Sequence, residues 1–239
     1  MTVTRGERKV AVITGASQGI GAGLVTGYRR AGYAVVGTAR SAQTGGDDDF
    51  ITVAGDIADP RTAKQVVDQA LVRFGRIDCL INNAGIYIGK PFTEYTLDDF
   101  LAITAVNLKG FFHITQLAIA RMVSQGGGHV VNVSTSLVDH ADAARPSALP
   151  ALTKGGLVAV TRSLAIEYAS RGVRVNAVSL GVIKTPAHDP ASYEGLAGLH
   201  PLGRVGEVDD VVDAILYLER AAFVTGETLH VDGRQAAGG

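Results

Sequence analysis

Residues 10–21, Val10-Ala11-Val12-Ile13-Thr14-Gly15-Ala16-Ser17-Gln18-Gly19-Ile20-Gly21, decide the fold. Val10–Thr14 is a run of β-formers. It ends in a glycine-rich turn, and Gly19–Ala31 then carries a helical pattern that Gly32 closes. Glycines let a backbone turn sharply and approach a pyrophosphate. The N-terminus of the following helix adds unpaired N–H groups and a partial positive charge. A glycine pattern alone is a weak signal, but between a first strand and a first helix it is a strong one. Gly15, Ser17, Gln18, Gly19, Ile20 and Gly21 are therefore candidates to cradle a dinucleotide.

The strand-then-helix alternation continues outward from this turn. Ala34–Thr38 and Ile51–Ala54 read as the second and third strands. The polar stretch Ala39–Phe50 between them is too short for a full crossover helix, so that layer is expected to be reduced. Arg61–Phe74 reads as a helix with Asp59 as N-cap and Pro60 in its first position. Cys79–Asn82 is the fourth strand, Leu97–Ser124 one long helix stopped by Gly126-Gly127-Gly128, and His129–Val133 the fifth strand. Leu152–Ser170 is a helix with apolar Leu157, Val160, Leu164 and Tyr168. Val173–Val178 is the sixth strand, and Thr185–Val205 is irregular. Glu207–Glu219 is a helix and Thr228–Val231 the last strand. The pattern predicts one domain over residues 1–239, an α/β Rossmann-type doubly wound parallel sheet of about seven strands with helices on both faces.

Composition narrows the function. The 239 residues are 46% apolar, without Trp, and carry a net charge of −1, so no basic footprint for nucleic acid is expected. The single cysteine, Cys79, excludes an internal disulfide and fits a reducing, cytoplasmic setting. It lies in the apolar run Ile77–Ile81 and reads as a small buried hydrophobe. No run approaches the roughly 20 apolar residues of a membrane span, so no membrane partner is expected.

A dinucleotide site reads its adenosine ribose at the tip of the second strand, where an acidic residue would hold the 2′-hydroxyl of NAD. Here the tip is Thr38-Ala39-Arg40-Ser41. Arg40 can pair with a 2′-phosphate and Ser41 can donate to it, so NADP(H) is preferred and NAD(H) is the alternative. Asp47, Asp48 and Asp49 stand near in sequence as a counterweight to that preference and read as a solvated turn.

With these motifs in order, the sequence resembles the short-chain dehydrogenase/reductase family over nearly its whole length. The resemblance implies that Asp56 and Ile57 contact adenine. Asn82-Asn83-Ala84-Gly85 matches the family's turn after the fourth strand, which puts Asn83, Ala84 and Gly85 along the cofactor. Asn107 matches the asparagine that organises a proton relay. Lys154 matches the lysine that is catalytic and holds the nicotinamide ribose. Gly181, Ile183 and Thr185 match the segment that holds the carboxamide. Dimers or tetramers are also implied, as is a small-molecule substrate covered by residues 185–205.

The departures matter as much. The family's tyrosine lies four positions before the lysine, and that position is Pro150. No tyrosine stands between Tyr95 and Tyr168. The serine position at the end of the fifth strand is Thr135, with Ser136 beside it, and both keep a hydroxyl. Arg234 stands where a glycine is common. Hydride transfer to a ketone also needs a proton for the developing alkoxide. Asp139, His140 and Asp142 on the following loop, Tyr193 and His188 on the covering segment, and Tyr87 after the Asn-Ala-Gly turn are candidate sources. A protonated imine needs no such donor, and an acidic loop would favour that cation. Two readings follow: an NADP(H)-dependent carbonyl or imine reductase using Asn107, Thr135, Ser136, Lys154, His140, Asp139 and Tyr193, or a catalytically silent NADP(H)-binding sensor or oligomer partner.

Overall fold

The computed structural model describes residues 8–41 and 47–237. Residues 42–46 of the polar connection and the two final residues lie outside the described set. The strands are β1 (Val10–Thr14), β2 (Ala34–Ala39), β3 (Phe50–Ala54), β4 (Cys79–Asn82), β5 (Gly128–Thr135), β6 (Val173–Leu180) and β7 (Thr228–Val231). They form one parallel sheet in the order β3-β2-β1-β4-β5-β6-β7. The order reverses direction between β1 and β4, and a crevice opens beyond the strands' carboxyl ends at such a switch point.

Both faces are covered, as near-continuous apolar strands require. On β1, Val10 and Val12 pack with α2 (Pro60–Phe74) and with α4 (Phe111–Ser124), beyond the short α3 (Leu97–Thr104). Ala11 and Ile13 face the other way, against α1 (Gly19–Arg30) and α7 (Val208–Arg220). The second helix starts as its sequence predicts, with the Asp59 carboxylate accepting from Arg61 N–H and Gly75 closing it in the left-handed region.

Three expectations change. The long helix Leu97–Ser124 is not continuous, because Ala105–Gly110 winds as a π-turn between α3 and α4. A 3.6-residue period cannot reveal such a turn, which comes from tertiary bonding. The helix expected from Leu152 begins four residues earlier, as α5 (Ala148–Tyr168), and holds Pro150 in its first turn. A proline N–H is not needed there, and Ala151 N–H makes the first bond, to the Ser147 carbonyl. This helix buries Leu149, Pro150, Thr153, Leu157, Val158, Thr161 and Ala165, so two threonines join its apolar stripe. Finally, Thr185–Val205 is not wholly irregular. A turn at Pro190–Ser192 leads into α6 (Tyr193–Ala197).

Among the described residues, no helix is long and apolar enough to cross a membrane.

Candidate active site

The switch point carries a cleft of about 290 Å³ lined by the glycine turn, the tips of β2 and β3, the Asn83–Gly85 turn and Thr185. The glycines are required by contact. Gly15 has φ 68°, and a Cβ on Gly21 would lie 2.0 Å from the Gly15 carbonyl oxygen. No side chain caps the start of α1, unlike α2 and α3. Its first residues line the cleft, and their N–H groups have no acceptor among the described residues. Thr185 closes the rim: its Cβ and Cγ2 would meet a Cβ on Gly19 at 3.2 Å.

Thr14 and Asn83 fasten the two loops together. The Thr14 hydroxyl donates to the Ile81 carbonyl and accepts from Asn83 and Ala84 N–H, at 3.0 and 2.9 Å. The Asn83 amide donates to the Thr14 carbonyl at 2.8 Å and the Gly15 carbonyl at 3.2 Å. Thr14 was not singled out in the sequence. Its position as the last residue of β1, facing the β4 turn, is the signal that could have found it.

Arg40 is exposed, lines the cleft and has no carboxylate partner among the described residues. The acidic trio does not oppose it. In the parallel pairing Val35↔Phe50 and Ala39↔Ala54, Asp47–Asp49 precede β3 and so sit at the opposite end of the strands from Arg40. Asp47 pairs with Arg29, Asp48 with Arg73 and Asp49 with Arg8. Thr38, beside Arg40, has a buried hydroxyl with no partner among the described residues, and it too lines the cleft. Asp56 lines the cleft while its carboxylate accepts from Ala58 N–H. Ile57 is buried behind it, and Gly110 of the π-turn packs on Ile57.

The π-turn aims Asn107. Its amide accepts from Ile86 N–H at 2.9 Å and donates to the Ile86 carbonyl and the Thr153 hydroxyl, each at 3.1 Å. This fixes the strand of loop leaving Gly85 against α5. Lys154 reaches the same place. Its Nζ donates to the Val133 carbonyl at 2.7 Å and lies 3.0 Å from where a Gly85 Cβ would be, with Asn107 Oδ1 3.3 Å from that point. Burial alone pulls the lysine down to about 8.

The other predicted residues divide. Thr135 ends β5, and its hydroxyl accepts from Leu137 N–H at 3.4 Å. Ser136 is turned away, buried, and donates to Gln235 Oε1 at 2.8 Å. Asp139 is likewise engaged elsewhere, with His230 Nε2 at 3.1 Å and the Ser179 hydroxyl at 3.4 Å. Asp142 accepts from Ala144 N–H and stands 3.9 Å from Arg145. His140 is exposed. The Tyr193 hydroxyl donates to the Thr185 carbonyl at 3.3 Å, and Tyr87 shares a hydrogen bond with Ser147 at 2.8 Å. Gly181 does not line the cleft; it packs under His200 and Asp232. Ile183 is buried and bridges to Gly206, and Ser41 is exposed at the rim of β2. Arg234 adopts φ 68°, the backbone of the glycine it replaces, held by Asp232 through its own N–H and that of Ala236.

A family model described as enoyl-(acyl carrier protein) reductase matches residues 15–233. The 3-oxoacyl-[acyl-carrier-protein] reductase FabG of Thermotoga maritima is 32% identical, over 95% of this chain and 97% of its own. A short-chain type dehydrogenase/reductase from Mycobacterium marinum superposes with a TM-score of 0.90 at 30% identity, covering 98% of both chains. ElxO with NADP bound superposes with a TM-score of 0.88 at 27% identity, covering 95% of this chain and 98% of its own. The chain belongs to the short-chain dehydrogenase/reductase family and is an oxidoreductase of that type.

Proposed function

We propose that the protein is an NADP(H)-dependent reductase that transfers a hydride to a small-molecule C=O or C=N group without a tyrosine acid. The observation that carries this is the cleft lined by the glycine turn, Arg40 and Asn83–Gly85, together with a Pro150 that offers no phenol one turn before Lys154. The residues fit the dinucleotide: Gly15, Gly19 and Gly21 leave room for a pyrophosphate, with Ser17, Gln18 and Ile20 around it. The Thr38 hydroxyl and Arg40, both without a partner among the described residues, line the cleft where an adenosine 2′-phosphate would be held. ElxO, similar in fold, binds NADP. In this role Asp56 and Ile57 border the adenine, Asn83–Gly85 line the ribose side, and Ile183 and Thr185 hold the carboxamide. When bound, the cofactor supplies the hydride.

Lys154 and Asn107 then hold the nicotinamide ribose side of the cleft, and Thr135 supplies a hydroxyl to the substrate. Residues 185–205 cover it, with Tyr193 steadying Thr185. An imine substrate suits the missing phenol, because a protonated C=N brings its own proton. The acidic loop gives that idea less support than its composition suggested, since Asp139 and Asp142 are both engaged. Dimers or tetramers in a cytoplasmic setting complete the reading. A catalytically silent cofactor-binding protein is the competing reading, and Pro150 is what favours it.

The test is NADPH consumption against a panel of ketones and cyclic imines, alongside an NADPH titration. Faster turnover of imines than of ketones is expected. Ketone reduction with every imine untouched would overturn the imine preference. Tight NADPH binding with no turnover at all would favour the silent protein.

A further inference from the structure

We infer that Lys154 itself is the proton donor when this protein reduces a carbonyl, acting from the ammonium group rather than through an intervening phenol. The inference rests on the reductase reading above and assigns the acid that reading leaves open.

Four of the candidate donors have partners of their own. Ser136 gives its proton to Gln235, Tyr193 gives its own to the Thr185 carbonyl, and Tyr87 is shared with Ser147. Asp139 is a carboxylate held by His230 and Ser179. Lys154 differs. An ammonium has three N–H donors, and only one of them, to the Val133 carbonyl, has an acceptor among the described residues. The nitrogen lies against Gly85, which lines the cofactor cleft, and Gly85 has no side chain to stand between them. Pro150 lies one turn earlier on the same face of α5, and its ring has no polar atom to intercept those protons.

The surroundings also tune the group. The Val133 carbonyl and the neutral Asn107 amide lie near Lys154, and no charged side chain perturbs it. Burial therefore acts alone, and the lysine sits near 8, close to the operating range of an efficient acid. At pH 7 it is mostly protonated, and above pH 8 it is mostly a neutral amine.

The step balances. The bound reduced cofactor would supply the hydride and be left oxidised, and the carbonyl carbon would gain a C–H bond. The π pair of the C=O moves to oxygen, which takes a proton from Nζ as that N–H bond breaks. Lys154 is left as a neutral amine and regains a proton from water.

The test uses the whole protein and its Lys154→Arg variant. Arginine keeps the charge and a donor to Val133 but gives up its proton far less readily. The substrates are a ketone and an N-alkylated cyclic iminium, which is permanently charged and needs no proton. The expected result, at saturating NADPH, is a ketone-to-iminium rate ratio lowered about 10²-fold or more in Lys154→Arg, and a wild-type ketone rate that falls tenfold per pH unit above about 8. Independently of turnover, 13C-labelled lysine in the cofactor-free protein should show one Cε resonance, missing in Lys154→Met, that titrates near pH 8. An equal fall for both substrates, or a Lys154 titration at the ordinary lysine value, would overturn the assignment. No turnover of either substrate by the wild type would overturn the reductase reading itself, and the lysine's role with it.

Discussion

The two sides of the cleft were built under different constraints. On the β1–β2–β4 side, backbone groups and glycines set the geometry, and Thr14, Asn83 and Gly21 leave almost no freedom. On the β5–α5 side, side chains carry the chemistry, and they have been exchanged or redirected: Pro150 offers no phenol, Ser136 is tied to Gln235 and Asp139 to His230. The contrast teaches that a fold can keep the shape of its cofactor cleft while side chains across from it change, because the first is backbone shape and the second is a few replaceable groups.

The strongest blow to the first side is Gly21→Val. Its Cβ would be driven into the Gly15 carbonyl, and overpacking of this kind costs about 3 kcal/mol or more. NADPH affinity should fall about 100-fold or beyond detection, with the circular dichroism spectrum retained. Unchanged affinity would mean the glycine turn does not hold the cofactor. Pro150→Tyr probes the other side. It puts a phenol one turn from Lys154, and a positioned general acid contributes about 10²-fold or more. Ketone reduction should rise by that order while NADPH affinity stays put; a titration and steady-state rates read both.

A smaller effect is expected at the adenosine end. Arg40→Ala removes a charge-assisted contact of roughly 1.5–3 kcal/mol. NADPH should bind about 10- to 100-fold more weakly and NADH almost unchanged. Equal losses for both cofactors would place Arg40 away from the 2′-phosphate.

The smallest effect separates the cleft from the opposite end of the sheet. There His129, nearly fully buried, pairs with Glu219 at 2.8 Å, and Glu219 also accepts from Tyr33. Burial holds His129 below its ordinary value. Burial alone would raise Glu219, but hydrogen bonds from His129 and Tyr33 carry it lower. Both groups bind protons more readily in the unfolded chain, so stability present at neutral pH is lost as pH falls below about 6.5. Melting temperature should drop through that range, and at least as far in Glu219→Gln measured against its own neutral value, because the carboxylate that raises His129 is then gone.

The sequence made the cofactor side legible because its signals are local. Gly15, Gly19 and Gly21 announce a turn, and Asp59-Pro60 announces a helix start. Arg40 was readable at the tip of β2, but its distance from Asp47–Asp49 was not, since a parallel pairing puts residues close in sequence at opposite ends of adjacent strands. The π-turn at Asn107 escaped because hydrogen bonds to Ile86 and Thr153, far along the chain, select it. The loop acids misled for a related reason: Asp139 meets His230, 91 residues away, and composition cannot foresee that partner.

Deuterium transfer tests most directly whether the cofactor side works without a tyrosine. The protein is given NADPH carrying deuterium at the transferable C4 position and an N-alkylated cyclic iminium. Mass spectrometry of the amine should then find one deuterium at the former C=N carbon. Tight NADPH binding with no labelled product from a panel of iminium and carbonyl substrates would contradict the account.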